Sequence, residues 1–117
     1  MEELQEIIRL QERIGRVRAK YKNINRLIDL KKYKYAEGEI EKLLRENPHD
    51  YQALLLRGIC FEKEGKIDSA IMIYETLIKE DPVDSRGHFL LGSLLVDGIN
   101  KKRGIKELKK GIELNPN

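Results

Sequence analysis

Apolar positions recur along the chain in short helical stripes, and the stripes repeat. From Asp50 to Pro82 the sequence DYQALLLRGICFEKEGKIDSAIMIYETLIKEDP alternates apolar and polar residues with the three-four spacing of amphipathic helices. A turn signal at Gly65–Lys66 divides the stretch into two short helices. Related features stand 34 residues away on either side. Pro48, Pro82 and Pro116 share one phase, as do Ala36, Ala70 and Gly104, and Ala19, Ala53 and Gly87. Gly58 matches Gly92, and Asp50 matches Asp84. A fixed period of this length signals stacked helical hairpins, each of which cannot bury its apolar face alone.

Steric reasons attach to the repeated positions. Proline lacks an N–H and restrains the residue before it, so the second helix of each unit must stop there. Asp50 and Asp84 follow, where a carboxylate can accept N–H bonds and start the next helix. Small residues at unit positions 8 (Gly58, Gly92) and 20 (Ala36, Ala70, Gly104) would let the two helices of a hairpin approach closely. Position 8 is expected to seat against position 20. Larger side chains at position 11 (Phe61, Leu95) and position 24 (Tyr74, Leu108) would fill the remaining space.

This pattern resembles the tetratricopeptide repeat. The middle unit, 51–84, carries Leu54, Arg57, Gly58, Phe61, Ala70, Tyr74, Leu77 and Pro82 at the family's signature positions. The third, 85–117, carries His88, Leu91, Gly92, Leu95, Gly104, Leu108, Gly111 and Pro116. The first, 17–50, departs from the pattern in its first helix (Lys20, Asn23, Ile24, Leu27) but is regular in its second (Ala36, Ile40, Leu43, Pro48). The resemblance implies an all-α fold, an α-solenoid of three stacked helix-turn-helix repeats over 17–117. A helical extension, residues 1–16, precedes them and runs on into the first repeat helix.

No Pro or Asp interrupts the chain from Met1 to Ile28, so residues 2–30 read as one helix about 45 Å long. Ile7, Leu10, Ile14, Val17, Tyr21, Ile24 and Ile28 keep an alternating three-four spacing, which suits a helix-to-helix seam. The first half is not a decayed repeat helix, because Glu2, Glu6 and Arg9 stand where small, aromatic and small residues belong. Two readings remain. The extension folds back as a cap on its own array, or Ile7, Leu10, Ile14 and Val17 form a self-association seam with another chain.

In the resembled family the first helix of each hairpin, helix A, lines a concave groove at positions 2, 5, 9 and 12. Positions 5, 9 and 12 here are Tyr21, Asn25 and Ile28; Leu55, Ile59 and Glu62; and Phe89, Ser93 and Val96. Six of these nine are apolar, and the fold itself is expected not to need them so. An apolar floor of this kind marks an interaction site. The expected occupant is an amphipathic helix or an extended apolar peptide; the alternative is that this chain or a second copy supplies the cover. The candidate groove residues are therefore Tyr21, Asn25, Ile28, Leu55, Ile59, Arg86, Phe89 and Val96. One familiar use of the family, a clamp for the acidic tails of heat-shock chaperones, is poorly matched. At its clamp positions the chain has Tyr21, Asn25, Leu56, Arg86 and Leu90, of which only Asn25 matches outright and Arg86 conservatively.

Composition narrows the function classes. Lys plus Arg number 23 against 20 Asp plus Glu, a mixed surface that argues against nucleic acid or membrane as the main partner. The basic run Lys101, Lys102, Arg103, Lys106, Lys109 and Lys110 lacks interleaved aromatics, although contact with nucleic acid or another anionic surface stays an alternative to protein binding. One cysteine excludes an internal disulfide, and no apolar run reaches the roughly 18 residues of a membrane span. A cytoplasmic setting is the default expectation. Cys60 reads as a small buried residue, His88 as a packed imidazole and His49 as a surface one. No Gly-rich phosphate loop or metal-spaced ligand cluster is present in the sequence, so neither an enzyme nor a cofactor is expected. The expectation is a non-catalytic protein-binding scaffold that forms homo-oligomers, or else a monomeric adaptor segment of a larger repeat protein. The third unit's second helix should leave apolar area exposed on its outer side.

Overall fold

The computed structural model describes all residues, Met1–Asn117. Six helices follow one another: α1 (Glu2–Asp29), α2 (Tyr33–Glu46), α3 (Tyr51–Lys63), α4 (Ile67–Glu80), α5 (Ser85–Val96) and α6 (Lys101–Leu114), with no strand. Each packs on the next, and α1 also touches α3. The odd helices form one layer and the even helices the other. Arg86 of α5 reaches Gln52 of α3 across the first layer, and Arg103 of α6 reaches Glu75 of α4 across the second.

Local chemistry fixes the boundaries. Asp50 Oδ1 accepts the Ala53 N–H at 3.1 Å and Asp84 Oδ1 accepts the Arg86 N–H at 2.9 Å, so both aspartates cap the helices they precede. Asn100 does the same for α6 through the Arg103 N–H. Within the first two hairpins the odd helix ends in the same left-handed closure. In α1 the Lys32 N–H reaches the Leu27 carbonyl with Lys31 at φ 61°; in α3 the Lys66 N–H reaches the Phe61 carbonyl with Gly65 at φ 79°. A glycine suits that conformation and a lysine is strained in it.

Two apolar clusters form the core. Ile24, Ile28, Ala36, Ile40, Ala53, Leu56 and Cys60 join the first hairpin to α3. Leu54, Leu55, Ala70, Tyr74, Leu77, Leu91, Leu94 and Leu95 join the second hairpin to α5. The expected contact of position 8 with position 20 occurs in the third hairpin, where a Cβ on Gly104 would stand 3.0 Å from the Gly92 carbonyl oxygen. In both the middle and the third hairpin the glycine at position 8 also receives the side chain at position 24: the Tyr74 ring, together with Ile73, lies against Gly58, and Leu108 lies against Gly92.

The extension does not fold back. Every residue from Met1 to Lys20 is exposed, and α1 runs on past the end of α2 as an arm. The cap reading is thereby corrected: the arm is a straight continuation of α1, and nothing in the chain bends it back. The molecule measures 58 × 33 × 22 Å with a radius of gyration of 16.4 Å, against about 13 Å for a compact 100-residue domain. No helix is long and apolar enough to cross a membrane.

Candidate protein-binding face

The i, i+4, i+7 spacing of positions 5, 9 and 12 places these residues on one side of each odd helix. Tyr21 is half-buried, and its hydroxyl donates to Asp50 Oδ2 at 2.7 Å. One carboxylate therefore caps α3 and holds α1 beside it. Burial first, then the bond to Asp50 and its negative charge, pushes the Tyr21 phenol up to about 12. Asn25 and Ser93 are exposed, Ile59, Glu62, Phe89 and Val96 half-buried.

Ile28 and Leu55 are buried as members of the two core clusters. The expectation that the apolar positions have no part in the fold is corrected for these two: Ile28 packs with residues of α2 and α3, and Leu55 with residues of α4 and α5. Phe89 also has a packing role. A Cβ on Gly111 would come within 2.9 Å of its ring, so the glycine in α6 is the seat on which the ring rests. What this face leaves accessible is consequently Ile59, Val96 and the open sides of Tyr21 and Phe89, edged by Asn25, Ser93 and Glu62.

Arg86 is heavily engaged. Its Nε and Nη2 donate to the two oxygens of Asp84 at 3.0 and 2.8 Å, its Nη1 donates to Gln52 Oε1 at 3.1 Å, and its guanidinium lies 4.7 Å over the Tyr51 ring. The Arg86 bond holds the Asp84 carboxyl below the usual carboxylate range, and the same bond raises the guanidinium. Gln52 and Arg86 are 34 residues apart, both at position 2, so their contact was implicit in the period. The Tyr21–Asp50 bond carried no comparable sequence signal.

The arm presents the other predicted set. Ile7, Leu10, Ile14 and Val17 are each 41–51% exposed. They share the face of α1 that, further along, sends Ile24 and Ile28 into the core.

Other polar groups are committed to the fold. His88 is buried, with Nδ1 2.8 Å from Glu107 Oε2 and Nε2 3.1 Å from the Pro82 carbonyl oxygen, tying α5 to α6 and to the preceding loop. Glu37, Cys60 and Glu64 bring three possible ligand atoms within 4.8 Å of one another. The Lys66 ammonium already stands 3.3 Å from Glu64 and 3.9 Å from Glu37. The neighbouring Glu64 carboxyl raises Glu37, and Glu37 in turn lowers Glu64. Burial, then Glu64 and Glu37, pushes the Cys60 thiol up to about 12, which keeps it neutral. The largest depression, about 560 Å³, runs along α6 past Lys102, Ile105, Lys106 and Lys109 and is lined mostly by charged side chains.

A family model, "Tetratricopeptide repeat", matches residues 21–85, more than half of the chain. The chain is a tetratricopeptide repeat protein. Solved structures agree on the fold. YrrB, described as a tetratricopeptide repeat protein with an unusual peptide-binding site, superposes with a TM-score of 0.72 at 22% identity over 84% of this chain. The chain spans 50% of that structure. The type III secretion chaperone SycD of Yersinia enterocolitica, solved with a peptide of the translocator YopD, gives 0.75 at 22% identity, covering 86% of this chain and 77% of its own. MamA of Desulfovibrio magneticus RS-1 gives 0.67 at 28% identity, covering 83% and 55%. No curated protein matches the chain. Six helices in three hairpins make this tetratricopeptide repeat protein a helical solenoid, a scaffold class built for contacts with other proteins.

Proposed function

We propose that this tetratricopeptide repeat protein is a non-catalytic scaffold, cytoplasmic in setting, that holds an amphipathic helix or an extended apolar segment on its odd-helix face. A second part of the reading is that it self-associates through the N-terminal arm. The observation that carries the groove reading is the run of half-buried Tyr21, Ile59, Phe89 and Val96 beside exposed Asn25 and Ser93 on one side of α1, α3 and α5. Ile59 and Val96 retain surface that no neighbouring helix covers, and apolar surface on a helical face suits the anchors of an amphipathic ligand. Peptide binding by YrrB and SycD supports the choice of a peptide over a small molecule.

Selection of twelve-residue peptides from a random display library against the immobilised chain tests it. Selected peptides should carry apolar residues at helical or alternating spacing and lose at least roughly tenfold in affinity to Ser93→Arg or Asn25→Arg chains, where a charge meets the bound apolar face. Peptides that bind both variants as well as the parent would overturn the groove assignment. Sedimentation at tens of micromolar tests the second part, and a clean monomer would remove it.

A further inference from the structure

Building on self-association through the arm, we propose that two copies pair their arms antiparallel about a two-fold axis near Glu12. The stripe in the arm steps by three, four and three residues, from Ile7 to Leu10 to Ile14 to Val17. That spacing reads the same from either end. An antiparallel copy therefore sets Ile7 against Val17 and Leu10 against Ile14, apolar against apolar in every layer. The stripe cannot swing to face elsewhere, because α1 is one unbroken helix whose later turns, at Ile24 and Ile28, are fixed in the core.

Charge decides the orientation. Residues 2–8 contain Glu2, Glu3 and Glu6 and no base, whereas residues 13–22 contain Arg13, Arg16, Arg18, Lys20 and Lys22 and no acid. Parallel pairing lays acid on acid and base on base. Antiparallel pairing lays each acidic end on the other copy's basic segment. In the register set by the stripe, Glu6 flanks Ile7 on the side where Lys20 of the second copy arrives, and symmetry makes that pair twice. The outer side of α6 is the competing docking surface. It is basic, and it exposes Ile105 and Ile112, at 40% and 56%. It offers two exposed apolar residues two turns apart, whereas a second arm offers four in matching register.

Cysteine cross-linking under mild oxidation tests the pairing on the full chain, with buried Cys60 left in place. Both arm positions are exposed and remote from the core, so the variants keep the fold, as circular dichroism would verify. A mixture of Ile7→Cys and Val17→Cys chains should form disulfide-linked dimers, and Ile7→Cys alone should not. Cross-linking of Ile7→Cys with itself would establish parallel arms and overturn the orientation while leaving self-association standing. Cross-linking of Ile7→Cys with Ile112→Cys would place the arm on α6 and overturn it likewise. A monomer at tens of micromolar would remove both. Glu6→Lys and Lys20→Glu should each weaken the dimer roughly tenfold, and the double reversal should restore it; failure of that rescue counts against the register.

Discussion

Gly58 and Tyr74 share one packing site, the Tyr74 ring lying against the α3 backbone where Gly58 has no side chain. A Cβ there would come within 2.9 Å of Tyr74 Cδ1. The ring has little room to give, since Tyr74 is fully buried and its hydroxyl donates to Glu62 Oε1 at 2.8 Å. Gly58→Ala should therefore destabilise the chain by about 1–3 kcal/mol through overpacking. The helix-propensity gain of about 1 kcal/mol offsets only part of the strain. Urea denaturation checks this, and a Gly58→Ala chain as stable as the parent would show that the ring moves aside.

Lys31 offers the opposite case. It closes α1 at φ 61°, in the conformation that Gly65 adopts at the end of α3. Its side chain is exposed, so nothing is lost by removing it. Lys31→Gly should stabilise the chain by about 1 kcal/mol, the approximate cost of holding an L side chain in the left-handed region. The thermal midpoint should rise by several degrees, and a fall would mean that the first turn relies on the lysine.

The pH limits follow from two groups. Asp84 is held below its ordinary 3.8, first by the bond from Arg86. A lowered carboxyl contributes stability that is complete above the unfolded value and is lost as pH falls through the folded one. The Asp84 contribution therefore begins to fall below about pH 3.8 and is gone only below the lowered folded value, and Asp84→Asn should flatten that part of the acid limb while keeping a capping side chain. Tyr21 is raised from 10.0 to about 12. A raised phenol contributes stability that is complete below pH 10 and lost as pH rises through about 12. Tyr21→Phe should remove that alkaline loss and cost about 1 kcal/mol at neutral pH. Equilibrium denaturation across pH measures both.

The period of 34 carried most of the fold, because proline, aspartate and small residues act through local sterics that need no knowledge of the rest. It located the capping aspartates, the turn at Gly65 and the buried states of Cys60 and His88. The face was less legible. Ile28 and Leu55 stand at positions assigned to the groove, yet their burial depends on how closely neighbouring helices pack, α2 and α3 on Ile28 and α4 and α5 on Leu55, which no single-helix pattern encodes. Phe89 reaches its seat only because residue 111 is glycine, a relation across 22 positions and two helices. The cap reading of the arm could be excluded only by the path of α1 in space. An apolar stripe has the same appearance whether it meets its own array or another chain.

The double duty of the face separates binding from stability. Leu55→Ala removes buried methyl groups from the core around Leu54, Tyr74 and Leu91, and should cost about 3 kcal/mol. Any loss of peptide binding it causes would be confounded with loss of fold. Ser93 is exposed on the same layer and its side chain makes no hydrogen bond, so Ser93→Arg should leave the folding stability within about 0.5 kcal/mol of the parent. Asn25→Arg should behave likewise, for the same reason. If the odd-helix face is the docking surface, these two variants abolish binding of selected peptides at full stability, and Leu55→Ala weakens binding only in proportion to the fraction unfolded. Denaturation and fluorescence anisotropy on the same samples distinguish the two behaviours. Equal binding by Ser93→Arg, Asn25→Arg and the parent would move the partner to another surface, with the arm and the outer side of α6 next to be tested.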